Sequence, residues 1–193
     1  MNPRTSLIAI NRRHSILGLG AAGALTLTPD AGFAAVRPAA EEALKAERAA
    51  ASAEGKTLGL FVLASWCPYC KLFNMLLADP VAKAIFDQHF RFFLLYVRER
   101  KPEWQKRQLP GAMALFKRYS GGGESVPFFA FLDQDGKALS TSKDPSGQNI
   151  GYPTSRSELA LFDSMFAKAA PLMSKADIAA LNAAIVRLYS PKA

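Results

Sequence analysis

The chain has 193 residues, 50% hydrophobic and 21% charged, which suits one ordinary soluble globular domain and gives no compositional break for a second large one. Its formal net charge is +8; the first 34 residues hold Arg4, Arg12, Arg13 and Asp30, a net +2, which leaves +6 on the rest. A charge of that size can steer acidic partners, but no interleaved aromatic and basic array accompanies it, so nucleic acid is not an expected partner.

Near its start the chain reads Asn11-Arg12-Arg13-His14-Ser15, followed by an uncharged stretch to Leu27 and then Thr28-Pro29-Asp30-Ala31-Gly32-Phe33-Ala34. A basic segment, a short apolar segment and small residues at Gly32 and Ala34 predict a signal peptide over residues 1–34, cleaved after Ala34. The apolar run is shorter than the ~20 residues of a spanning helix, so no stable membrane insertion is expected after cleavage. The paired arginines resemble a twin-arginine signal without its following Phe-Leu-Lys; a Sec signal is the alternative. Either route leads to an oxidising compartment, the periplasm.

The mature domain, residues 35–193, begins with an Ala-, Glu- and Lys-rich stretch over 38–54 that predicts a helix, stopped at Gly55. The apolar run Leu58 to Ala64 predicts a buried strand. Leu72, Phe73, Met75, Leu76 and Leu77 give a helical face after Cys67, and Asp79-Pro80 starts a second helix carrying Val81, Ile85 and Phe86. Phe92 to Val97 predicts another strand. Arg98 to Gln108 is highly charged and without period; Trp104 among Arg98, Arg100, Lys101, Lys106 and Arg107 reads as a solvated helix face with one anchor, with a docking patch as the alternative. Leu115, Phe116 and Tyr119 mark a helix before Gly121-Gly122-Gly123, and Phe128 to Leu132 a third strand. Asp133 to Gly136 predicts a hairpin turn into a strand near Lys137 to Leu139. A polar loop follows, then a helix through Leu159, Leu161, Phe162, Met165 and Phe166. Ser174-Lys175-Ala176-Asp177 starts a last one. The order is α/β: a central mixed sheet flanked by helices, with an extra C-terminal helix.

The two cysteines of the whole chain stand together in Cys67-Pro68-Tyr69-Cys70. Neither can tie distant segments; they can only pair locally, bind something or react. A strand runs directly into this motif, which opens a helix. Free N–H groups and the helix dipole favour an anion there, so Cys67 is the expected nucleophile. Cys70, one turn later and more buried, would resolve a mixed disulfide. Structural zinc wants four ligands, and the mature chain adds only His89 to the two cysteines, so no metal is expected. A purely structural pair would close a very short loop and contribute little.

Trp66-Cys67-Pro68-Tyr69-Cys70 resembles the motif of the thioredoxin superfamily, and Val126-Pro127 ahead of a strand resembles its cis-proline loop. Ala53-Glu54-Gly55-Lys56, Asp79-Pro80-Val81 and Leu132-Asp133-Gln134-Asp135-Gly136-Lys137 extend the likeness from about residue 40 to about residue 170, towards thioredoxin-like proteins with exported members. The resemblance implies a thioredoxin fold and a thiol–disulfide oxidoreductase. It implies substrate contacts at Trp66, Pro68, Tyr69, Val126 and Pro127, a cis bond at Val126-Pro127, and Val126 pairing with a substrate backbone. Protein thiols and disulfides are the implied substrates, a membrane redox protein the implied partner, and no cofactor is implied. Thioredoxin proper carries a buried Asp six residues before its first cysteine; Phe61 stands there here, and the sequence offers no obvious internal carboxylate to deprotonate Cys70. Pro68-Tyr69 is the dipeptide typical of glutaredoxins, so a glutathione-dependent reductase is one alternative; a non-catalytic adaptor on the same fold is another.

Overall fold

The computed structural model describes residues 39–190; the expected signal segment, its Arg12-Arg13 pair and the cleavage point after Ala34 lie outside the described residues. The described elements are α1 (Ala40–Ala53), β1 (Thr57–Leu63), α2 (Pro68–Ala78), α3 (Pro80–His89), β2 (Phe90–Tyr96), α4 (Pro102–Gln105), α5 (Ala112–Ser120), β3 (Phe128–Leu132), β4 (Ala138–Thr141), α6 (Arg156–Ala169) and α7 (Lys175–Tyr189). They form a four-stranded mixed sheet in the order β2-β1-β3-β4. β1 and β2 are parallel, with Leu63 opposite Tyr96, while β3 runs antiparallel to both β1 and β4.

Both faces of this sheet are covered, which is why β1 and β3 are continuous apolar runs. The two-residue period of a strand divides their side chains. Leu58, Leu60 and Val62 of β1 join Phe128, Ala130 and Leu132 of β3 against α1 and α5. Phe61 and Leu63 join Phe129 and Phe131 against α2, α3, α6 and α7. Phe61 stacks on Phe129 with ring centroids 5.4 Å apart and meets Phe73 edge-on at 5.3 Å. Gly59 makes this aromatic packing possible: a Cβ there would sit 2.6 Å from the Phe92 ring.

Local chemistry sets the helix ends. Gly55 at φ +67° follows α1, Asp79 Oδ1 accepts the Val81 and Ala82 N–H groups at 3.1 Å to open α3, and Ser174 Oγ accepts the Asp177 N–H at 3.0 Å to open α7. Some boundaries differ from the sequence expectation. β2 begins at Phe90 rather than Phe92, because the parallel register carries Thr57 opposite Phe90. β4 begins at Ala138, because Lys137 is held in the turn, its N–H donated to Asp133 Oδ1 at 2.8 Å. The charged stretch from Arg98 to Gln108 is not one solvated helix face: only Pro102–Gln105 is helical.

Candidate active site

Cys67 lies where β1 ends and α2 begins. Pro68 occupies the first turn of α2, where a missing N–H costs nothing, and Cys67 is the N-cap: its Sγ accepts the Cys70 N–H at 3.2 Å. One turn on, Cys70 Sγ accepts the Ala64 N–H at 3.5 Å. Both thiols are free. Cys70 is 1% exposed, and Cys67, expected at an exposed helix start, is only 4% exposed. The cover comes partly from the loop before β3: the Val126 carbonyl oxygen is 3.6 Å from Cys67 Sγ.

The two sulfurs are electrostatically unequal. The Cys67 thiol is pulled down to about 6, first by its hydrogen bond with the Cys70 thiol and against the opposing cost of burial, with help from the Cys70 and Tyr69 N–H groups and the Arg98 charge. Cys70 is pushed far up, first by that same hydrogen bond and then by burial, with the charges of Cys67 and Glu99 adding to the effect. One negative charge is therefore favoured on the pair, and it rests on Cys67.

The other expected site residues gather around this pair. Val126-Pro127 is a cis peptide bond. Val126 is half-buried and Pro127 buried; Pro68 is exposed, and so is Tyr69 at 45%. Tyr69 stacks on Tyr189 of α7, ring centroids 6.5 Å apart. Trp66 is half-buried and tethered: Nε1–H donates to the Arg98 carbonyl at 2.8 Å, and the Arg100 guanidinium lies 4.0 Å from the ring centroid. The basic cluster around Trp104 is thereby divided, since Arg98 and Arg100 face Trp66, Arg107 faces Tyr96, and Lys101 is set over Trp104, at 4.7 Å.

Two neighbours escaped sequence reasoning. Asn149, in the polar loop after β4, donates from Nδ2 to the Ser125 and Pro127 carbonyls at 3.0 and 2.9 Å and so holds the Val126-Pro127 segment from both sides. Glu99 is a buried carboxylate just after β2 that binds the segment before Cys67. It is 6% exposed, and its Oε1 accepts the Ser65 N–H and Oγ–H at 2.8 Å. A signal for it existed: β1 and β2 are adjacent and parallel, so charged residues directly after the second apolar run come to the same sheet edge as the cysteines. Among the described residues, no group of three or more His, Cys, Asp or Glu is arranged to hold a metal ion.

A mixed sheet with a helix-opening Cys-x-x-Cys after its central strand, and a cis X-Pro loop against the first sulfur, defines the thioredoxin fold with its thiol site. The sequence matches the thioredoxin-like domain family over residues 44–143, and the chain belongs to that family. Among solved structures, the chain is similar to a disulphide isomerase from Xylella fastidiosa Temecula1, with 18% identity, a TM-score of 0.46, and coverage of 71% of this chain and 93% of that one. It is also similar to a DsbH oxidoreductase, at 20% identity and a TM-score of 0.46 over 70% of this chain and 84% of the other. The C-terminal domain of DsbD from Neisseria meningitidis aligns at 21% identity and a TM-score of 0.39, over 66% of this chain and 97% of that one. No curated protein matches the chain.

Proposed function

We propose that this chain is an exported thiol–disulfide oxidoreductase, working in the periplasm on protein thiols and disulfides through Cys67 and Cys70. The observation that carries the reading is the placement of Cys67 Sγ as the cap of α2, accepting the Cys70 N–H at 3.2 Å beside the Val126 carbonyl. Donors at a helix start stabilise a thiolate, and the thiolate is the form that attacks.

In the reducing direction, Cys67 thiolate attacks one sulfur of a substrate disulfide. A Cys67–substrate S–S bond forms to the attacked sulfur, and the other substrate sulfur leaves as a thiolate. Cys70 then loses its proton and attacks Cys67 Sγ, forming the Cys67–Cys70 disulfide and releasing the second substrate thiolate. The released thiolates take up protons. Both electrons come from the two sulfurs of the pair, so the exchange needs no further cofactor. Oxidation of a substrate dithiol is the same sequence reversed. A membrane redox protein would restore the pair after each turnover. Trp66, Pro68, Tyr69, Val126 and Pro127 surround Cys67 and form the substrate-facing rim, with the Val126 main chain as the strand-like partner for an extended segment. Export is supported by the basic, apolar and small-residue pattern of residues 1–34.

Trapping tests this reading. Cys70→Ser leaves the nucleophile without its resolving thiol and should accumulate mixed disulfides with protein substrates, while Cys67→Ser should trap almost none. Equal trapping by both variants, or none by either, would return the protein to the adaptor class.

A further inference from the structure

Asn149 stands in the polar loop after β4 and meets several segments at once. Its backbone bridges Lys143, and the turn between them is closed by Asp144, whose Oδ1 accepts the Ser146 and Gln148 N–H groups at 2.9 Å. Ser142, 0% exposed, orients the side chain. The Phe129 N–H donates to Ser142 Oγ at 3.0 Å, and the hydroxyl proton is given to Asn149 Oδ1 at 2.7 Å. The Gly151 N–H donates to the same oxygen at 3.4 Å. Which end of the amide is which is therefore fixed. Both Nδ2 hydrogens are directed at the loop before β3, to the Ser125 and Pro127 carbonyls at 3.0 and 2.9 Å.

These two donors sort the carbonyls of that loop. Ser125 and Pro127 flank Val126, and their carbonyls are turned to Asn149. The Val126 carbonyl between them is turned instead to Cys67, 3.6 Å from Sγ. A primary amide suits this arrangement: a carboxylate has no donor to offer, and a serine or threonine hydroxyl has one. Ser125 is an exposed residue, open to water, so solvation alone does not call for its bond to Asn149. What the bond adds is direction. Asn149 also lies outside the matched family segment, which ends at residue 143.

We propose that Asn149 is a positioning residue for polypeptide substrates: by holding the Ser125 and Pro127 carbonyls, it keeps the Val126 main chain turned to Cys67, where an extended substrate segment pairs with it. The inference rests on the reading of Cys67 as the attacking thiol. In the step concerned, the Cys67 thiolate attacks one sulfur of a peptide disulfide. The bond from Cys67 to that sulfur forms, the substrate S–S bond breaks, and the other sulfur leaves as a thiolate. Pairing with a fixed Val126 aligns the peptide sulfur for the attack. A small disulfide without peptide groups undergoes the same exchange and gains nothing from Val126.

Rate constants of the reduced full chain with a peptide disulfide and with bis(hydroxyethyl) disulfide, which has no peptide group, test this. Asn149→Ala removes the amide. Asn149→Asp keeps its shape and the acceptor for Ser142 but removes both donors. Each variant should lose about tenfold with the peptide and stay within about threefold of the wild type with the small disulfide. A second measurement needs no variant to fold. In the wild type, a peptide disulfide N-methylated at its cysteine and at the residue after it should react about tenfold more slowly than its parent. Equal losses with both disulfides, a wild-type peptide rate in either variant, or no N-methyl penalty in the wild type would each overturn the assignment. A wild-type Cys67 that reacts with neither disulfide would overturn the thiol reading itself, and this inference with it.

Discussion

At the scale of single residues, Cys67 shows how a nearly buried sulfur can still carry charge. Burial alone would raise its thiol, yet the Cys70 thiol and the N–H groups at the start of α2 donate to it, and they win. Because the folded thiol titrates near about 6, well below the ~8.5 of a free cysteine, its ionisation stabilises the reduced fold fully above ~8.5, and that contribution is lost as pH falls through about 6. Cys70 is displaced upward and works the other way: the unfolded chain ionises it above ~8.5 while the fold keeps it protonated, so stability declines there. The reduced form should therefore gain stability over the oxidised form from about pH 6 to a maximum near pH 8.5. Iodoacetamide labelling of Cys67, or thiolate absorbance, should show a midpoint near about 6; a midpoint at the free-cysteine value would remove the electrostatic inequality of the two sulfurs. The placement of Cys67 and Cys70 together at a helix start was legible in their spacing. The residues that hold the neighbouring segments, Glu99 on Ser65 and Asn149 on Ser125 and Pro127, lie in segments without period, and only their hydrogen bonds single them out.

At the scale of elements, one carboxylate joins three helices. Asp79 follows α2, caps α3 through Oδ1, and binds Arg187 near the end of α7 through Oδ2. Its carboxyl is held below the usual range first by the Ala82 N–H, with Arg187 also contributing, so its stabilising effect is present above the ordinary carboxylate value and is lost as pH falls. Asp79→Ala should lower stability by about 1–2 kcal/mol, the cost of an N-cap. Asp79→Asn keeps the cap and gives up only the ion pair, so it should cost under about 1 kcal/mol. Denaturant midpoints of the two variants decide the matter: equal losses would mean that the ion pair, not the cap, does the work. α7 lies outside the matched family segment, yet it supplies Leu181, Ala184 and Ile185 to the core beneath α2 and α3 and sets Tyr189 against Tyr69 beside the cysteines. Its start was visible in Ser174 and Asp177; its contact with Tyr69 was not, because the two residues are far apart in the chain.

At the scale of the whole molecule, the sheet is buried on both faces and its two parallel strands end side by side, which brings residues 64–67 and 97–100 to one edge. Among the described residues, Ala40 and Leu44 are the first to enter the core, 0% and 1% exposed. Amino-terminal sequencing of periplasmic material should find a start near Ala35, and the chain from Ala35 onward should unfold cooperatively with the Cys67 midpoint unchanged. A start before Gly32, or a full-length chain held in the cytoplasm, would end the export reading, and normal export of an Arg12→Lys, Arg13→Lys double variant would assign the signal to the Sec class. The sequence by itself determined the α/β class, the central strands, the capped helix starts and the pairing of the two cysteines at one of them. Those depend on local rules: apolar runs for buried strands, Ser or Asp at helix starts, and thiols at a helix N-terminus. Only the tertiary structure decided where β2 and β4 begin, how deeply Cys67 is covered, and which carboxylate is buried against Ser65. Register is set by the partner strand, and the field at a buried sulfur is the sum over charges near in space, whatever their separation along the chain. Glu99, thirty-two residues beyond Cys67, enters the site because β1 and β2 run parallel.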